Sequence, residues 1–132
     1  MCRALADRGP AILPEEDLFR IVATEHVKGG VVSTGAFNYR DCFSVEIVSR
    51  SGGPADSLSR VPGACAVIRF NCGCAREIGE LDTRDERDDT HPENLAHAHV
   101  YTNGGSARRK TLARAFVTQC RPEIVLNDCP SS

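Results

Sequence analysis

Apolar residues come in short bursts along this chain, separated by glycine, proline or charge, and the bursts differ in period. Phe43-Ser44-Val45-Glu46-Ile47 alternates apolar and polar positions, the pattern of a half-buried strand. Cys65-Ala66-Val67-Ile68-Arg69-Phe70 is almost continuously apolar, which suits a strand covered on both faces. His97–Thr102 and Glu123-Ile124-Val125-Leu126 are two further candidate strands. Leu18–Val22 carries two signals. Pro14 followed by Glu15, Glu16 and Asp17 is first-turn helix chemistry. The β-branched content of the run favours a short strand instead, and a short strand is expected there.

Helical signals are fewer. Pro54 opens a short helix through Arg60, and Asn71 can cap another over Cys72–Ile78. The strongest helix starts at Ser106, where Leu112, Ala113, Phe116, Val117 and Cys120 form one apolar stripe before Pro122 ends it. Residues 80–93 have almost no apolar content and read as an acidic, solvated loop. Residues 1–13 lack a periodic pattern and read as a flexible lead-in, with 14–132 a single globular domain. The expected fold is a small α/β or α+β two-layer sandwich of about four strands and two to three helices.

Composition narrows the class. The chain has 132 residues, 41% of them hydrophobic, which is too many for a disordered chain, and it lacks an apolar run of membrane-spanning length. Its formal net charge of −2 argues against general coating of nucleic acid. The opening Met-Cys-Arg-Ala-Leu-Ala-Asp-Arg has no apolar signal region, so the expected location is cytoplasmic. Seven cysteines, an odd number without an export signal, then read as reduced thiols.

Charge placement supplies the main candidate site. Asn103-Gly104-Gly105-Ser106-Ala107-Arg108-Arg109-Lys110 puts three cations and no acid at a helix start, where the dipole favours acids. An anion docked there would meet backbone donors and guanidinium groups together, with Gly104 and Gly105 allowing close approach. Gly104, Gly105, Ser106, Arg108, Arg109 and Lys110 are therefore the candidate ligand-binding residues, for a phosphate-bearing ligand or an acidic protein partner. The acidic stretch 77–93 could equally pair with these bases from within the chain.

A second pattern is His97-Ala98-His99-Val100-Tyr101. Strand alternation sends His97, His99 and Tyr101 to one face and Ala98 and Val100 to the other. Two imidazoles beside an anion site suit metal-independent cleavage of a phosphodiester, one taking a proton and the other giving one, so these three are the candidate catalytic residues. His-x-His together with Cys72-Gly73-Cys74 also suggests a zinc-stabilised interaction module, although Cys-x-Cys is unusual spacing for zinc and the same cysteines fit as small packing residues. The leading expectation is a binding or adaptor domain with no metal and no cofactor; a ribonuclease-like enzyme is the alternative.

Overall fold

The computed structural model describes residues 2, 4–37, 42–78, 81–85, 94–102 and 106–130. The long strands are β1 (Asp17–Val22), β4 (Cys42–Ile47), β5 (Ala66–Asn71), β6 (Asp82–Asp85), β7 (His97–Tyr101) and β8 (Glu123–Asn127). They form one antiparallel sheet in the order β6-β7-β4-β1-β5-β8. Val27–Lys28 (β2) and Val31–Val32 (β3) make a separate hairpin. Its turn residues, Gly29 and Gly30, both have positive φ (58° and 75°), a conformation that side chains resist. The helices are α1 (Val48–Ser51), α2 (Pro54–Ser59), α3 (Cys72–Glu77) and α4 (Ser106–Cys120).

The fold is therefore α+β, and the expectation of a two-layer sandwich of about four strands is wrong. Two physical causes account for the error. First, β6 lies inside the stretch expected to be loop. It carries charge yet alternates in burial, with Thr83 and Asp85 buried and Asp82 and Arg84 half-buried. Its charges are matched by Arg8 and Arg84 on Asp82 (both 2.9 Å) and by Arg50 on Asp85 (2.6 Å), so low apolar content did not exclude a strand. Second, helices cover both faces of the sheet. Leu18, Phe43, Val45, Ile68, Phe70, Ala98 and Val100 on the first face share a core with Ala75 of α3 and Leu112 and Phe116 of α4. Phe19, Ile21 and Val67 on the second face form their own cluster with Val48 and Leu58 of α1 and α2.

Local chemistry explains several boundaries. The Asn71 side chain accepts the Cys74 N–H at 2.9 Å and caps α3, and Pro54 opens α2 at a position where a missing N–H does no harm. On the first face, the Phe116 ring stacks on Phe37 at 4.3 Å and meets Phe70 edge-on at 4.7 Å. Each such pair adds about 0.5–1.5 kcal/mol beyond area burial.

Six cysteines lie in three pairs with disulfide geometry: Cys2–Cys42, Cys65–Cys129 and Cys74–Cys120, with Cα separations of 5.8, 4.8 and 5.7 Å. Cys72 is free and buried. The outer edge of β6 is bordered by residues 10–12. Ala11 bridges Arg84, the Ile12 N–H donates to the Thr83 carbonyl (3.2 Å), and the Asp85 N–H donates to the Pro10 carbonyl (2.8 Å). Among the described residues, no helix is long and apolar enough to cross a membrane.

Candidate functional site

The sheet opens between two of its central strands. Among the described residues, β1 pairs with β4 at two positions, Leu18–Ile47 and Phe19–Glu46, whereas it pairs with β5 along all six of its residues. Past that point, the guanidinium of Arg20 spans the opening. Its Nε donates to the Ala36 carbonyl (3.0 Å) and its Nη1 to the Ser44 carbonyl (3.2 Å). Over this splay lies a cleft of about 540 Å³, lined by Arg20, Glu46, Arg60, Val61, Asn94 and His97 among others. That volume lies within the range of small-ligand pockets, roughly 300–1,000 Å³.

Glu46 organises the cleft wall. It is 3% exposed, and its two oxygens collect donors from three parts of the chain. Oε1 accepts from Ser57 Oγ (2.6 Å) and from Arg60 Nη2 (2.6 Å), while Oε2 accepts from Arg60 Nε (3.0 Å) and Asn94 Nδ2 (3.1 Å). Burial by itself would raise the pKa of this carboxyl. Hydrogen bonds from Arg60 and Ser57, the Arg60 charge and Asn94 outweigh it, so Glu46 sits below its ordinary value and is ionised. Arg60 is held in turn by the Ser51 carbonyl at 2.6 Å. The hydrogen bonds and charge of Glu46 push its pKa further up against a smaller effect of burial. Arg60 Nη1 carries no hydrogen bond among the described residues, so a pinned guanidinium keeps one donor group in reserve, and Arg60 lines the same cleft as Asn94 and His97.

The sequence-predicted residues divide. His97, His99 and Tyr101 share the second face, as strand alternation requires, with successive ring centroids 4.9 and 5.8 Å apart. His97 is half-buried and lines the cleft. His99 and Tyr101 are 2% and 1% exposed, and the Arg8 guanidinium carbon lies 3.8 Å above the Tyr101 ring. The candidate anion site at the last helix falls largely outside the described residues. Gly104 and Gly105 are not among them, nor are the side chains of Ser106, Arg108 and Arg109. The helix does begin at Ser106, and Lys110 is exposed.

The cysteines suggested as zinc ligands separate. Cys74 pairs with Cys120. Cys72 packs against Thr83 Oγ1 at 3.0 Å, and burial pushes its thiol pKa up. Among the described residues no group of three His, Cys, Asp or Glu side chains gathers as a metal site. The residues that sequence reasoning missed are Glu46, Arg60, Asn94 and Arg20. Glu46 occupied a polar position of an alternating strand, which ordinarily means solvent, and nothing in the local pattern marks Arg60 as its partner.

No protein-family model, curated protein or solved structure matches this chain. Geometry alone carries the functional reading.

Proposed function

We propose that this chain is a small-ligand-binding domain and that its cleft takes a compact molecule bearing a phosphate group. The observation that carries this reading is Arg60, fixed by Glu46 and the Ser51 carbonyl with Nη1 in reserve, in a cleft that Asn94 and His97 also line. A guanidinium already oriented by its neighbours loses little side-chain entropy when it binds an anion. Arg20 is a second arginine among the cleft-lining residues. Ile21, Val45 and Val61 supply an apolar wall for the remainder of a ligand.

The burial of His99 supports binding over catalysis. A two-imidazole cleavage needs both rings at one substrate, and only His97 of the pair lines the cleft.

Phenyl phosphate is the probe. Its titration should shift the Arg60 Nε–H and Asn94 side-chain amide resonances in a saturable way, with inorganic phosphate binding more weakly because the apolar wall goes unused. Val61→Trp, at a residue 37% exposed, should fill the cleft and abolish binding while leaving the fold intact. The reading fails if millimolar phenyl phosphate shifts nothing, or if the shifts gather around residues 106–110, which would move the site to the helix start. RNA cleavage that survives EDTA and vanishes in His99→Ala would restore the enzymatic alternative.

A further inference from the structure

We propose that Cys2–Cys42 is a reducible clasp, a modification site for a dithiol, and that opening it releases residues 2–9 and uncovers Tyr101 with its neighbours Asp82 and Arg84. Three observations carry this independently of the cleft reading. The clasp lies directly beside what it covers, because Cys42 is the register partner of Tyr101 on the adjacent strand. The covering contacts are polar: Arg8 sits 3.8 Å over the Tyr101 ring and 2.9 Å from Asp82, and Arg84 Nη1 donates to the Gly9 carbonyl at 3.2 Å. Among the described residues, no apolar anchor lies between the bond and those contacts, since Leu5–Asp7 bury no side chain and Leu5 is 70% exposed.

The other two pairs hold elements that the core retains without them. Cys65 precedes β5 and Cys129 follows β8, two strands already hydrogen-bonded to each other, with the Asp128 N–H donating to the Cys65 carbonyl at 2.7 Å. Cys74 and Cys120 join α3 to α4, both packed on the first-face core. All six cysteines are half-buried, so access does not rank the three bonds. Local opening does, and it needs the least apolar exposure at residues 2–9.

The chemistry is thiol–disulfide exchange. One thiolate of the dithiol attacks a sulfur of Cys2–Cys42, forming a mixed disulfide and expelling the other cysteine as thiolate. The second thiolate of the dithiol then displaces the remaining cysteine. Two electrons and two protons pass to the cysteine pair, and the dithiol leaves as its own disulfide.

The chain has two tyrosines and no tryptophan, so Tyr39→Phe makes Tyr101 the sole strong ultraviolet fluorophore. Graded dithiothreitol followed by iodoacetamide and peptide mapping reports which pair opens, and acrylamide quenching of Tyr101 reports its cover. Cys2 and Cys42 should be alkylated first, with the quenching constant rising severalfold in the same step. Cys2→Ser should show the raised constant without reductant, and Arg8→Ala should show it with the bond intact. The proposal is overturned if another pair opens first, if Tyr101 stays shielded once Cys2 and Cys42 are alkylated or in either variant, or if Cys2 and Cys42 are free thiols in the untreated chain.

Discussion

Replacing Arg60 with methionine removes the only cation bonded to Glu46 among the described residues and leaves a buried carboxylate behind. Breaking a buried ion pair from one side ordinarily destabilises by about 3–5 kcal/mol, because the surviving charge is uncompensated. Two features reduce that figure here. The Arg60 side chain is 31% exposed, so solvent already screens part of the attraction, and Ser57 and Asn94 continue to donate to Glu46. An expected loss of about 2–3 kcal/mol at neutral pH follows, large against a total stability of about 5–15 kcal/mol. The pH dependence sharpens the test. In the native chain the Glu46 pKa is depressed below its ordinary 4.5, so its stabilising contribution is complete above that value and is lost as pH falls through the folded-state pKa. Without Arg60, burial is opposed by Ser57 and Asn94 alone, so the Glu46 pKa rises from its depressed value and protonation relieves part of the misfit; the gap between variant and native chain should narrow toward about pH 4. Urea unfolding at both pH values, with slopes compared, measures this. A loss below about 0.5 kcal/mol at neutral pH, typical of an exposed pair, refutes the reasoning. So does a gap that does not change with pH.

Phe116→Ala should destabilise by about 3–5 kcal/mol in the same assay, because the ring is 1% exposed and touches Phe37, Phe43 and Phe70; a loss under about 2 kcal/mol would mean the cluster collapses around the gap. Cys129→Ser should lower stability by about 4 kcal/mol, the chain-entropy value for a cross-link spanning 64 residues. An unchanged unfolding curve would show that Cys65 and Cys129 are reduced thiols in solution.

Much of the fold was legible where side-chain pattern and backbone environment agree. Phe43–Ile47, Ala66–Phe70 and His97–Tyr101 are strands because their apolar residues meet a core, and Leu112, Ala113 and Phe116 lie on one stripe of α4 because helix period puts them there. β6 was illegible for the converse reason. Asp82-Thr83-Arg84-Asp85 has no apolar face to display, and its pairing is stabilised by β7, by residues 10–12 and by arginines at positions 8 and 50, none of them local. The number of strands was undercounted for that reason, while the two-layer expectation failed because the short helices α1 and α2 carry too few apolar residues to show a stripe. Val48 and Leu58 suffice to cover the second face beside Phe19 and Ile21.

The cleft was hidden by the same kind of non-locality. A polar residue in an alternating strand normally faces water, and Ser44 does, yet Glu46 two positions on is buried because α2 returns over it with Ser57 and Arg60. Residues 11 and 14 positions away in sequence thus decide whether a carboxylate is solvated or locked. His97 shows the limit from the other side: its face was predictable from period alone, but its neighbours were not. It shares a face with His99, as expected, yet its register partner Glu46 brings Arg60 and Asn94 into the same cleft, while His99 lies buried beside Ser44 and Arg84. A pair of histidines that suggests acid–base chemistry in the sequence thus keeps its ring contact but differs in exposure, one ring at a cleft wall and one buried behind it. What that wall presents is the Arg60 guanidinium held by Glu46 and the Ser51 carbonyl, the group on which the proposed anion recognition rests.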